Sequence, residues 1–131
     1  MITDKKLEVD NNSYVMMVDD EAYNCEVLKS MLICLGVEPE RIIVCMGGKQ
    51  ALKKCKEIKK ENKTLKLLLT DLSMPIMDGY KFIKKFRKVM GGYQEIPTLV
   101  VAITGHAESG FFLKALNIGA DNVYSKPILS D

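Results

Sequence analysis

An open, parallel α/β sheet with helices on both faces is the fold class this sequence predicts, and three observations predict it. Short strand-like runs alternate with stretches of helical periodicity from residue 13 onward. The central run, Leu67-Leu68-Leu69-Thr70, is almost continuously apolar, as a strand covered on both faces must be. Five strands joined by four helices fill the 131 residues, which is too few units for an eight-fold barrel and matches right-handed crossovers in an open sheet.

Each element has its own signal. Tyr14-Val15-Met16-Met17-Val18 is a first strand and ends in the acidic pair Asp19-Asp20. Val27, Leu28, Met31, Leu32 and Leu35 then recur at helical spacing, and Gly36 closes that helix. Ile42-Ile43-Val44, within residues 41–45, is a short β-branched strand. Gly47-Gly48 turns the chain into a second helix marked by Ala51, Leu52, Cys55 and Ile58. The strand Leu67 to Thr70 stops at Asp71, and a turn runs from Leu72 to Gly79. Asp78 is placed to cap a third helix striped by Phe82, Ile83, Phe86, Val89 and Met90. Pro97 leads into the strand Thr98 to Ile103, which ends in Thr104. Phe111, Phe112, Ala115 and Leu116 stripe a fourth helix closed by Gly119, and Asn122 to Ser125 is a last strand ending in Lys126-Pro127. Only Ile128-Leu129-Ser130-Asp131 follows, where a parallel edge strand ordinarily leads into a covering helix. The expectation is therefore a polar leader over 1–12 and one domain over 13–131 with its fifth helix missing or truncated. The sheet face so uncovered is a candidate dimer surface.

Composition is that of an ordinary globular domain, and a net charge of +2 by itself argues for neither nucleic acid nor a membrane surface. The lysines between 53 and 66 alternate with Leu52, Cys55 and Ile58 and read as a solvated helix face. Cys25, Cys34, Cys45 and Cys55 form no C-x-x-C pair, and His106 is the only histidine, so a zinc site is not indicated. They read as reduced thiols of an intracellular, cytoplasmic protein, with no apolar run approaching the ~20 residues that span a bilayer. Gly47-Gly48-Lys49 hints at a phosphate loop, but Ile43 and Gln50 stand where such a loop needs Gly and Ser or Thr.

The chemistry lies at the strand ends. Open α/β sheets bind ligands outside the carboxyl ends of their strands, where this chain delivers Asp19-Asp20, Asp71, Thr104 and Lys126. Three clustered carboxylates repel one another, and a divalent cation removes the conflict. Mg²⁺ (or Mn²⁺) suits such a crevice, because it takes few carboxylates and completes its octahedron with water and phosphate oxygens. An incoming phosphoryl group would then meet the Asp71 carboxylate as nucleophile, with Lys126 neutralising one of its oxygens and the Thr104 hydroxyl donating to another. Taken singly, each residue has an ordinary explanation: a turn, a cap or a solvated lysine. Their joint placement at four strand ends favours the site.

Val18-Asp19-Asp20-Glu21, the run Thr70-Asp71 to Asp78-Gly79, Thr104-Gly105-His106-Ala107 and Ser125-Lys126-Pro127 resemble, in order and spacing, the receiver domains of two-component response regulators and hybrid histidine kinases. The resemblance covers about residues 13 to 128. It implies a flavodoxin-like (βα)₅ fold, a three-layer sandwich with strand order 2-1-3-4-5. It also implies Asp71 as phosphoacceptor and Mg²⁺ held by Asp20, Asp71, the Ser73 backbone carbonyl and, through water, Asp19. Lys126 would pair with Asp71 and then with its phosphoryl group, Thr104 would swing toward that group, and Pro127 would follow a cis bond. The donor would be a phosphohistidine on a histidine kinase or histidine phosphotransfer protein, and the parent chain could be a hybrid histidine kinase. Ser73 and His106 occupy the family's variable tuning positions. One departure stands out: Val123 lies three residues before the lysine, where the family carries a switch aromatic, and the neighbouring Tyr124 should face the other side of the strand.

Such a domain would not turn over substrate by itself, beyond its own phosphorylation and dephosphorylation. Two other readings remain. An aspartate-nucleophile phosphatase would need a second Asp at position 73, where Ser73 stands. A phosphorylation-independent binding module would have lost the acidic pair, the acceptor or the lysine, and all are present. No DNA-binding segment is evident, so nucleic acid is not an expected partner.

Overall fold

The structure is a computed structural model that describes residues 9–72, 78–105 and 109–125, with backbone alone over 109–112. The strands are β1 (Ser13–Val18), β2 (Ile42–Cys45), β3 (Thr64–Asp71), β4 (Leu99–Thr104) and β5 (Asn122–Ser125). The helices are α1 (Ala22–Cys34), α2 (Gly48–Lys60), α3 (Gly79–Met90) and α4 (Ser109–Asn117), with one 3-10 turn at Pro39–Arg41. All strand pairs are parallel and the order is β2-β1-β3-β4-β5. This is the doubly wound topology that the alternation of elements and the resemblance imply.

Period-2 alternation along the strands separates two cores. Met16, Val18, Leu68 and Val100 face α2, α3 and α4, packing on Cys55, Ile58, Phe82, Phe86 and Ala115. Val15, Met17, Leu67 and Val101 face α1, packing with Cys25 and Leu32. Phe82 and Phe86 are wholly buried with ring centroids 6.1 Å apart, so the apolar stripe of α3 anchors the larger core.

Several boundaries move from their expected places for identifiable reasons. β3 begins at Thr64 rather than Leu67, because Tyr14 pairs with Leu65 and Val15 with Leu67, leaving Lys66 as an extra exposed residue at a register shift. That irregularity hides the strand's start from a reading of apolar runs. Leu35 and Leu116 were expected on buried stripes, yet they are 50% and 44% exposed. Leu35 already lies past the last turn of α1 as its C-cap, and Leu116 is turned away from the face that buries Ala115. Gly36 follows with φ +101°, a conformation that suits a residue without Cβ. Asp78 caps α3 as expected, its side chain accepting from Lys81 N at 2.9 Å. Cys25, Cys45 and Cys55 are buried and Cys34 is exposed.

Candidate functional site

Because every strand points the same way, the register decides which residues meet at the carboxyl edge. Val18 lies opposite both Cys45 and Thr70, so Asp19 and Asp71 emerge level with each other on adjacent strands. Asp71 pairs with Ile103, and Thr104 pairs with Ser125, the residue before Lys126. Three separate stretches of chain thus converge without any contact between them in sequence.

Asp19, Asp20 and Asp71 each offer a carboxylate oxygen within 4.8 Å of the others'. Asp19 and Asp71 are 2% and 4% exposed, whereas Asp20 reaches solvent. Two sunken carboxylates and one at the rim make a shallow, all-oxygen donor set. That set fits a hard divalent cation which keeps waters on its open side, and it does not fit a thiophilic metal. The donors present therefore match the magnesium expectation.

The supports of the trio are local. Asp19 N donates to Cys45 O at 3.1 Å, tying β1 to β2 at their ends, and the Asp19 carboxylate accepts from Glu21 N at 3.0 Å. Neither Asp19 nor Asp20 caps α1, whose N-cap is Glu21. The Cys25 thiol lies 3.5 Å from Asp19 O. Beyond Asp71, Leu72 N donates to Ile103 O at 3.1 Å and Gly79 N to Leu72 O at 3.0 Å. Gly79 matters sterically: a Cβ there would overlap the Asp71 carbonyl oxygen and Leu72 Cα. No other residue type lets α3 begin directly beneath Asp71. The sequence marks Gly79 only as a turn residue; its close approach to Asp71 needed the fold.

Thr104 is fully buried at the end of β4 and continues the face lined by Val100 and Ala102. Val123 packs on that same face, while Tyr124 joins the cluster on the α1 side. The position where an aromatic ring was sought, opposite Ala102 and on the same face as Thr104, therefore holds an aliphatic side chain, and the adjacent tyrosine faces the other side. Ser73, His106, Lys126 and Pro127 lie outside the described residues.

The family model of the response regulator receiver domain matches residues 15–131. The chain belongs to that family. Among curated relatives, this receiver domain is 32% identical over 128 residues to hybrid signal transduction histidine kinase G of Dictyostelium discoideum, covering 98% of this chain and 4% of that protein. It is 30% identical over 114 residues to the osmosensing histidine protein kinase SLN1 of Saccharomyces cerevisiae, covering 87% of this chain and 9% of that protein. Among solved structures, the receiver domain of the histidine kinase CKI1 from Arabidopsis thaliana, complexed with Mg²⁺, superposes with a TM-score of 0.74 at 28% identity, covering 86% of this chain and 82% of that one. The receiver domain thus spans only a small fraction of the curated kinases it matches. Among the described residues no helix is long and apolar enough to cross a membrane.

Proposed function

We propose that this receiver domain accepts a phosphoryl group on Asp71 from a phosphohistidine donor, in a reaction that requires Mg²⁺, and that the modified state changes its contacts with a partner or output element. The observation that carries the reading is the convergence of Asp19, Asp20 and Asp71 within 4.8 Å at the carboxyl edge. The receiver of CKI1, a structural neighbour, is complexed with Mg²⁺. A bound Mg²⁺ would supply charge neutralisation for the carboxylates and for the phosphoryl oxygens. Asp20 and Asp71 are the side chains to hold it, with Asp19 acting through water and Ser73 through its carbonyl.

In the transfer an Asp71 oxygen attacks phosphorus, the P–N bond to imidazole breaks, and the histidine leaves with the bond's electron pair. Asp71 is mostly sunken, and Gly79 lets the start of α3 pack against its carbonyl oxygen and Leu72, which restricts how the carboxylate meets the donor. Thr104, buried and on a neighbouring strand end, is the hydroxyl to receive the new phosphoryl oxygen, and Lys126 the cation to pair with it. Hydrolysis of the acyl phosphate returns the resting domain, so no separate substrate is turned over. Donors of the expected class are histidine kinases and phosphotransfer proteins, and one curated relative is itself a hybrid histidine kinase. With Val123 in the aromatic position, the response rests on Thr104 rather than on a rotating ring.

The test is direct. Incubation with Mg²⁺ and acetyl phosphate should add one acid-stable, alkali-labile phosphate, visible by intact mass. Asp71→Asn should remove it completely and omission of Mg²⁺ nearly so. Labelling that persists in Asp71→Asn would place the acceptor elsewhere, and steady release of phosphate from a monoester would favour the phosphatase reading. No labelling of the wild-type chain would leave the binding module.

A further inference from the structure

The α2–α3 face concentrates the positive charge of the chain. Six of the nineteen basic residues lie in α2 and five in α3, against a single acid, Glu57, of the seventeen. In sequence these are two separate amphipathic helices with solvated lysines. The fold packs them side by side on one sheet face, so their outer stripes become one surface. Lys49, Lys53, Lys56 and Lys60 form an exposed stripe along α2. Lys81, Lys84, Lys85 and Lys88 form a second along α3. Among the described residues none of these eight joins an ion pair, the two pairs being Lys54–Glu57 and Arg87–Asp121. Neighbouring helices lie roughly 8–10 Å apart, and a stripe of this length runs about 16 Å. The result is a broad basic patch and not a cleft.

We propose that the α2–α3 face docks on an anionic lipid bilayer. Three observations favour that partner over other polyanions. The free cations are all lysines, which act as mobile, hydrated point charges, and the one arginine in these helices, Arg87, is turned inward to Gly119, Thr98 and Asp121. No stacking aromatic is offered: Phe82 and Phe86 are buried, Tyr93 donates to Lys63 O, and Tyr80 lies beneath Lys114. Nucleic-acid surfaces use arginine forks and stacked rings, and neither is present. Finally, none of the large exposed apolar side chains belongs to α2 or α3, so the face lacks the anchors of a protein interface. A plane of anionic headgroups asks only for many basic residues within a Debye length, about 8 Å at physiological salt. The Asp71 crevice lies at the sheet edge rather than on this face, so docking leaves it open, and the proposal is independent of the phosphoacceptor reading.

Co-sedimentation of the full 131-residue chain with vesicles tests it. Vesicles of phosphatidylcholine with about one-third phosphatidylserine should bind at least about tenfold more protein than pure phosphatidylcholine at physiological salt. The quadruple variant Lys53→Gln, Lys56→Gln, Lys84→Gln, Lys85→Gln should lose that gain, with unchanged circular dichroism because all four side chains are exposed. The pair Lys53→Gln, Lys84→Gln should weaken binding more than Lys29→Gln, Lys66→Gln, which changes net charge equally away from the patch. Equal binding to both vesicle types, equal effects of the two pairs, or tighter binding to duplex DNA than to the anionic vesicles would overturn the proposal.

Discussion

The two ends of the same sheet are built on opposite principles. At the carboxyl end, Asp19, Asp20 and Asp71 crowd like charges together, two of them nearly out of water. At the amino end, cations and amides meet acceptors throughout. Arg87 donates to Gly119 O at 3.0 and 2.7 Å, to Thr98 O at 3.1 Å and to Asp121 Oδ2 at 2.9 Å. The same Asp121 oxygen accepts from Val100 N at 2.7 Å, so one side chain joins α3 to the starts of β4 and β5. Gln94 pairs with both Leu65 N and Leu65 O, occupying the place of a further β4 residue beside β3. Thr98 Oγ1 and the Tyr93 hydroxyl add bonds to Leu65 O and Lys63 O at 2.8 and 2.6 Å. The comparison teaches that these cross-links between strands and helices concentrate at the end opposite the acid cluster, where they help offset the cost of gathering three carboxylates at the other end.

Substitutions can break this contrast, and the largest effect is expected at the one steric constraint under the acid cluster. Gly79→Ala drives a Cβ into the Asp71 carbonyl and Leu72, so urea unfolding should show a loss of about 3 kcal/mol or more. A shift under 1 kcal/mol would mean that the start of α3 moves freely away from Asp71 and Leu72. Next comes the amino-end clamp. Arg87→Ala should lower stability by about 2 kcal/mol, through lost charge-assisted bonds and an exposed Gly119 carbonyl, while Asp71 still takes up phosphate in the folded fraction. Arg87→Lys should recover only part of the loss, since the ammonium cannot fork between Thr98 and Gly119.

Smaller effects should follow at the acids themselves. Asp20→Asn removes an exposed charge from the trio, so metal-free stability should change by no more than about 0.5 kcal/mol. The same change should nonetheless abolish the rise in thermal midpoint that Mg²⁺ is expected to give the parent chain. A rise that survives in Asp20→Asn would place the cation elsewhere.

The sheet interior gives a pH-dependent check. Burial pushes the Cys45 thiol up to about 11 and the Cys55 thiol up to about 12, from an ordinary 9.0. A thiol that ionises more readily when unfolded stabilises the fold fully below pH 9.0, and that contribution drains away as pH climbs toward the folded values of about 11 and 12. Urea midpoints should therefore fall between about pH 9 and pH 11, and less so in Cys55→Ala after allowance for its cavity. At neutral pH a thiol reagent should label Cys34 rapidly and the three buried cysteines only on unfolding.

Much of the candidate site could be read from residues alone, because strand ends announce themselves. Apolar runs that stop at Asp19, Asp71 and Thr104 mark the carboxyl edge, and a parallel sheet has only one such edge. The facing of Val123 and Tyr124 followed from period-2 alternation in the same way. Arg87 and Gln94 gave no comparable signal. Their partners Gly119, Asp121 and Leu65 are distant in sequence, and a polar residue on or after a helix looks the same whether it clamps a strand or meets water.

Periodicity and the order of the strand-ending residues determined, by themselves, the fold class, the family likeness and the list of acids to test. These are local properties: side-chain direction repeats with the backbone geometry, whatever surrounds it. Distances were decided by packing. Register brought Asp19 level with Asp71, close contact excluded every side chain at position 79, and the adjacency of α2 and α3 turned two ordinary lysine stripes into a single charged face. Each of those depends on which elements become neighbours, and only the assembled sheet fixes that.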